Sequence, residues 1–419
     1  MMTSNQKNKE AYVWIWLPNT TEPIIAGHLQ ERHGTLQFNY GASYLQREHD
    51  MPPAIPIYEP ELPLKPGLLP LLSGLTMPSC IRDAAPDAWG RRVIIKKLLG
   101  TQGRDPVELS ELTYLLESGS DRIGALDFQR SPTDYIPRTA SHISLEELLA
   151  SSARVEQGVL LNAELDQALL HGTSIGGARP KALIQLDNIP YIAKFSSSQD
   201  LYPVLKMEFI AMRLAALAGL TVAPVKLITA AHKEVLLVQR FDRAKMGNGW
   251  ARKSMVSALT LFGLDEMMAR YASYETFAEI IRHRFTEPKA TLTELFSRLM
   301  FNILCGNTDD HARNHAAFWD GKTLALTPAY DICPQDRSGQ EASQAMLIIG
   351  NNNLSQLKTC LATAHNFGLS QTEALAIFEH QKSVIEQHWK AVCEEASLNA
   401  ATQKLLWGNQ FLNPFVTQS

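Results

Sequence analysis

Three residues in the C-terminal half have the types and spacing that phosphoryl transfer needs. Asp309 and Asn314 stand five positions apart in the run from Gly306 to His315, and Asp331 follows in the run from Leu326 to Ile332. Phosphoryl transfer asks for a carboxylate facing the attacking hydroxyl and hard oxygen ligands for magnesium. Asp309 suits the first role, and Asn314 and Asp331 suit the second. The Asp309-to-Asn314 interval equals that of the catalytic loop in protein kinases, H-R-D-x-x-x-x-N. Asp310 does not fit it. Such a spacing also arises by chance in polar surface loops, but here it is flanked by apolar stretches on both sides. His311 and His315 could share a helix face as zinc ligands, yet no HExxH pattern accompanies them. His311 is then better placed to organise the loop.

A second group lies upstream. The segment from Gly172 to Lys181 contains Ser174, Ile175, Gly176, Gly177, Ala178, Arg179 and Lys181. Adjacent glycines let backbone N–H groups approach a phosphate, and a following lysine adds positive charge. The spacing is neither a Walker A loop nor G-x-G-x-x-G. Lys194 then falls within the β-prone run Tyr191 to Phe195, in the kinase order of glycine loop before strand lysine. Glu208, on the next helical segment, is a candidate ion-pair partner for Lys194. Gln239 and Phe241 occupy the place of a hinge whose main chain would hold adenine.

The elements that must position these groups are readable in outline. β-prone runs at 11–17, 24–30 and 35–40 open the chain, separated by turn residues. A proline-laden stretch from Pro52 to Pro70 predicts an extended connection on the surface. Helices are expected at about 87–99 and 106–117, and Ser144 with Glu147 marks another. Strands at 182–186 and 191–195 flank an Asp187-Asn188 turn, a helix runs through Met207, Ile210, Leu214 and Leu217 to Gly219, and strands at 225–228 and 235–239 follow. Beyond Arg243 the pattern is mainly helical. Thr291 with Glu294 and Ser370 with Glu373 have capping-box spacing. A hairpin is expected over 316–327, between the catalytic loop and Asp331.

Composition narrows the class. The 419 residues are 45% hydrophobic and 20% charged, with a formal net charge of -4. That length implies more than one subdomain, and the charge gives no general reason for nucleic-acid binding. The five cysteines are scattered without a CxxC pair, which excludes a disulfide framework as the organising device. The N-terminal residues lack a signal-peptide core, and no apolar run is long enough to span a bilayer, so a cytoplasmic location without membrane contact is expected.

Taken in order, the segments 174–181, 192–195, 239–243, 306–314 and 328–331 resemble the HipA family, serine/threonine kinases that act as toxins of bacterial toxin–antitoxin modules. The β-rich start and the run Asp87 to Arg91 are similar to that family's N-terminal subdomain. The resemblance implies an α+β, two-lobed protein-kinase-like fold with an additional N-terminal α/β subdomain. The expected boundaries are 1–140, 141–243 for a small lobe, and 244–419 for a helical lobe. It implies ATP and Mg2+ as cofactors, with Asp309 as catalytic base and Asn314 and Asp331 on the metal. Nucleotide contacts would come from Ser174 to Arg179, Lys181, Lys194, Gln239, Phe241 and His311. Family members autophosphorylate a serine at the place of Ser174, and a phosphate there should compete with those of ATP. Arg179 replaces the family's usual glutamine. The expected partners are a HipB-like helix-turn-helix antitoxin, operator DNA reached mainly through it, and a protein substrate. In this family that substrate is an aminoacyl-tRNA synthetase, especially the glutamyl enzyme. A kinase-fold small-molecule phosphotransferase and a non-catalytic corepressor are the alternative readings.

Overall fold

The computed structural model describes residues 9–99, 109–139, 145–156, 179–197, 200, 202–337, 339 and 341–418. An N-terminal antiparallel sheet has the order β3-β2-β1-β4, from strands β1 (Glu10–Ile15), β2 (Ile24–Arg32), β3 (Thr35–Tyr40) and β4 (Leu126–Gln129). Strand β3 shows why it forms: Leu36, Phe38 and Tyr40 alternate inward, the period of a half-buried strand. Two helices, α1 (Ala88–Leu99) and α2 (Glu111–Glu117), complete this unit. Helix α2 starts later than the sequence suggests because the Ser110 hydroxyl caps it, accepting from the Thr113 N–H at 3.2 Å. Beneath it the fully buried Arg122 pairs with Asp127 at 2.8 Å and donates to the carbonyls of Ala84 and Leu115. A buried guanidinium is tolerated only when its donors are met in this way.

The proline-rich connection is only in part the surface strap that the sequence predicts, with residues 64–68 exposed. Ile55, Ile57, Tyr58, Leu62 and Leu69 are buried. The carbonyl of Pro56 accepts from the Trp319 indole at 2.8 Å, and the Tyr58 ring meets Trp319 edge-on. Prolines prevent ladder pairing here, but the apolar residues between them still gain by leaving water. The segment therefore wedges between the N-terminal unit and the C-terminal lobe.

The small lobe carries a second antiparallel sheet, built from β5 (Lys181–Leu186), β6 (Ile189–Phe195), β7 (Val225–Ala230) and β8 (Lys233–Gln239) in the order β5-β6-β8-β7. Helix α3 (Leu145–Glu156) contributes Leu148 and Leu149 to its separate core with Ala182, Tyr191, Phe195, Val235 and Leu237. Strands β5 and β6 are joined at Asp187 and Asn188, both with positive φ, the geometry of a two-residue hairpin turn. Helix α4 (Val204–Leu217) follows and ends before Gly219. Strands β7 and β8 finish the sheet.

Beyond Arg243 the chain is not yet helical. Strands β9 (Arg243–Met246) and β10 (Gly249–Arg252) form a hairpin, and β11 (Met255–Ser257) joins β12 (Ala316–Trp319) and β13 (Leu324–Leu326) in a three-stranded sheet. Strands β9, β10 and β11 are only three or four residues long, too short to show a period, whereas β12 and β13 form the hairpin expected over 316–327. The helical lobe proper contains α5 (Tyr274–Arg284), α6 (Pro288–Cys305) and α7 (Gln371–Glu395). Ser370 and Glu373 form the expected capping box on α7. Thr291 and Glu294 do not: α6 already starts at Pro288, whose fixed φ and missing N–H suit a first helical position. Among the described residues no helix is long and apolar enough to cross a membrane.

Candidate active site

Strand β6 and helix α4 place the first pair of the site. Lys194 donates to Glu208 at 2.6 Å and also contacts the Asp331 carboxylate. Burial works against the Lys194 charge, but Asp331 and Glu208 raise its pKa all the same. Burial and Asp331 together push the Glu208 carboxyl up, against the pull of Lys194. Burial opposes ionisation of Asp331 too, yet Lys194 overrides it and holds that carboxyl down to about 2. Asp331 itself has φ 59°, a left-handed conformation uncommon outside glycine. Its neighbour Tyr330 donates its hydroxyl to the Arg313 carbonyl at 2.8 Å, tying Asp331 to the catalytic loop.

That loop leaves α6 at Gly306, which has φ 74°. Asp309 opens to the cleft, and partial desolvation by the surrounding protein, with Asp331 and Asp310 nearby, raises its pKa despite His311. Asp310 points the opposite way. It is buried, accepts from His315 Nε2 at 2.8 Å and contacts the Tyr274 hydroxyl. Burial disfavours its charge, but His315 with those hydrogen bonds keeps its carboxyl below the usual range. Two adjacent carboxylates therefore have different tasks: one faces the cleft and one anchors the loop.

His311 and His315 do not share a helix face. They flank a single 3-10 turn, Ala312–Asn314, with extended backbone at both ends. No group of three His, Cys, Asp or Glu side chains suited to a metal occurs among the described residues. Asn314 donates its Nδ2–H to the Asp309 carbonyl at 3.0 Å, which turns Oδ1 the other way as a hard-oxygen donor. With the Asp331 carboxylate this set fits Mg2+, which takes one or two protein oxygens and completes its shell with water and phosphate. The His311 Nδ1 is buried without a hydrogen-bond partner beside these groups.

Arg179, Lys181, Lys194, Glu208, Asp309, Asn314 and Asp331 line one cleft of about 340 Å³. A broader depression of about 750 Å³ near Gly219, Lys289 and Glu294 lies away from this donor set. Asn307, Gln335 and Asp336 also line the cleft, as does Asp200. Asp200 pairs with Arg179 and accepts from the Ser197 N–H at 2.9 Å. Asn307 lies within the 306–314 run without having been singled out, and nothing in the sequence marked Gln335, Asp336 or Asp200. Gln239 and Phe241 are not among the lining residues. Gln239 donates its N–H to the Pro224 carbonyl at 2.9 Å, and Phe241 packs on Phe318 and Tyr330. Ser174, Ile175, Gly176, Gly177 and Ala178 lie outside the described residues.

The junction between lobes is held from the N-terminal unit. Arg240 pairs with Asp121 at 3.0 Å and Asp242 at 2.8 Å; Arg243 pairs with the same two carboxylates at 2.6 and 2.8 Å. The Gly124 N–H donates to Asp242 at 2.9 Å. Burial opposes the Asp242 charge, but the two guanidiniums hold its carboxyl down to about 2.

A two-lobed kinase-like fold, preceded by a β-rich N-terminal unit and carrying a lysine–glutamate pair beside this acidic cleft, defines a protein of the kinase-fold class. Comparison with known proteins narrows the class. The model of the HipA-like C-terminal domain matches residues 173–389, and that of the HipA N-terminal domain matches residues 16–129. The chain belongs to the HipA family. Y4mE of Sinorhizobium fredii, provisionally named a kinase, is 26% identical over 335 residues, 74% of either chain. The serine/threonine-protein kinase toxin HipA of Shewanella oneidensis is 26% identical over 145 residues, covering 31% of this chain and 34% of that one. The fold matches HipA of Shewanella oneidensis, solved with HipB and its operator DNA, at a TM-score of 0.71 and 19% identity. That alignment covers 97% of this chain and 99% of that one.

Proposed function

We propose that this chain is an ATP- and Mg2+-dependent serine/threonine protein kinase that acts as the toxin of a toxin–antitoxin pair in the cytoplasm. The observation that carries the reading is the Lys194 ammonium, set between Glu208 and Asp331 in the cleft that Asp309 and Asn314 also line. In kinases a strand lysine, paired to a helix glutamate, binds nucleotide phosphates. Lys194 takes that task here, with Arg179 and Lys181 in the same cleft; family likeness adds the 174–178 segment as a further nucleotide contact. Asn314 and Asp331 would hold Mg2+, which when bound neutralises charge on the β- and γ-phosphates. Asp309 orients the acceptor hydroxyl and takes its proton. Its exposure to the cleft and its raised pKa suit a group that meets substrate and accepts a proton.

We place the subdomain boundaries near residues 140 and 243. Family likeness supports Ser174 as an autophosphorylation site that inactivates the enzyme, and an aminoacyl-tRNA synthetase, foremost the glutamyl enzyme, as the target. It also supports a HipB-like antitoxin as partner, with operator DNA reached through it. The test is incubation of dephosphorylated protein with γ-labelled ATP and magnesium, with and without the synthetase. Label on Ser174 or on the synthetase supports the reading. No transfer to any protein, or transfer only to a small molecule, would sink it.

A further inference from the structure

The N-terminal unit does more than cap the kinase. Its segment from Arg82 to Arg91 presents two aspartates, and they reach opposite lobes. Asp87 divides its carboxylate: Oδ1 accepts from the Gly90 N–H at 2.8 Å at the start of α1, and Oδ2 accepts from Lys181 Nζ at 3.2 Å. The Lys181 side chain is 3% exposed and that of Asp87 13%. Lys181 stands directly across the β5–β6 ladder from Lys194. Residues opposed in this way project to the same face of a sheet, and both lysines line the cleft. Two ammonium groups side by side repel each other, so the position of Lys181 depends on an anion behind it. Asp87, fixed by a helix start, supplies one in direct contact, and Asp331 adds a further negative charge.

Asp83 holds the other lobe. Its carboxylate accepts from the Ser257 N–H and hydroxyl, each at 2.7 Å, and lies 3.8 Å from Arg313. Ser257 is paired with Ala316 across the β11–β12 ladder, and the next residue, Ala258, donates its N–H to the His315 carbonyl at 2.8 Å. Asp83 thus fixes the downstream end of the catalytic loop, one residue beyond Asn314.

We propose that Asp87 and Asp83 are positioning residues of the kinase site, supplied by the N-terminal unit: Asp87 sets Lys181 against the nucleotide phosphates, and Asp83 sets the catalytic loop. The inference rests on the nucleotide-binding reading of the cleft. It makes the N-terminal unit a working part of the enzyme, through which anything bound to that unit can alter nucleotide affinity.

The test uses the full chain, a fluorescent ATP analogue with magnesium, and the variant Asp87→Asn. Asparagine still caps a helix, so α1 keeps its start and only the charge behind Lys181 is lost. Losing a charged hydrogen bond of this kind should weaken nucleotide binding about tenfold, with the thermal midpoint nearly unchanged. Asp87→Glu should recover part of that loss. Lys181→Met added to Asp87→Asn should cost little more, because both changes remove one device. Asp83→Asn should instead lower kcat for phosphotransfer and leave nucleotide affinity close to wild type. Wild-type affinity in Asp87→Asn, or losses from Asp87 and Lys181 that simply add, would overturn this proposal alone. Wild-type protein that binds no nucleotide would overturn the kinase reading and the proposal together.

Discussion

Lys194 on β6 and Glu208 on α4 form an ion pair of 2.6 Å whose lysine also reaches Asp331. One cation therefore links the small-lobe sheet, the helix packed on it and Asp331 of the large lobe. Both Lys194 and Glu208 are nearly enclosed, with side chains 13% and 2% exposed.

Removing one partner of such a pair leaves the other charge unmet in a poorly solvated place. Glu208→Gln should lower kcat/KM for ATP by about 10- to 100-fold through a Lys194 drawn wholly onto Asp331. Lys194→Met should remove nucleotide binding altogether. Titration with a fluorescent nucleotide and initial rates of phosphotransfer give both numbers. A Glu208→Gln enzyme with normal KM and kcat would show that the pair is only structural.

The neighbouring aspartates of the catalytic loop separate chemistry from architecture. Asp309→Asn should stop phosphotransfer, and any growth arrest on overexpression, with little change in thermal midpoint. Asp310→Asn leaves one acceptor where the buried carboxylate meets both His315 and Tyr274, and should cost about 1–3 kcal/mol of stability. Calorimetry beside a labelled-ATP assay distinguishes them. Toxicity that persists in Asp309→Asn would contradict a catalytic mechanism.

Much of this site was legible in the sequence, and the limits have physical causes. Asp309, Asn314, Asp331 and Lys194, which line one cleft, could be singled out because phosphoryl transfer would demand those residue types at set intervals. Strand β3 and the capping box of α7 were legible because period and cap are local. The fate of Asp310 was not, since its partner Tyr274 is 36 positions away. Asp87 sits in a run the sequence singles out, but its bond to Lys181 spans 94 positions. The buried path of the proline-rich segment depends on Trp319, more than 260 residues downstream. Long-range pairings of this kind leave no periodic trace.

Gly306 tests whether the catalytic loop depends on its first turn. Its φ of 74° is costly for any residue with a side chain, and a Cβ there would lie 2.6 Å from the Gln410 carbonyl oxygen. Gly306→Ala should therefore destabilise the protein by on the order of 2 kcal/mol or more. Because Gln335 donates its N–H to the Gly306 carbonyl at 3.0 Å, the change should also reach the cleft wall and reduce kcat. An unchanged melting curve for Gly306→Ala would refute this account of the turn.

The charge cluster at the lobe junction predicts how the protein fails in acid. Arg240 and Arg243 hold the Asp242 carboxyl at about 2 in the folded chain, whereas an unfolded aspartate titrates near ~4. The folded state thus binds the Asp242 proton less readily than the unfolded one. Its contribution, on the order of 2 kcal/mol, is fully present above about pH 4 and is lost as pH falls toward 2. Protonation would also release the Gly124 N–H contact and leave two buried guanidiniums sharing Asp121 alone. Asp242→Asn should be less stable than wild type at pH 7 and should lose less on acidification from pH 5 to 3. Denaturant midpoints at a series of pH values measure both slopes. Parallel slopes for the two proteins would remove Asp242 from the cause of acid unfolding.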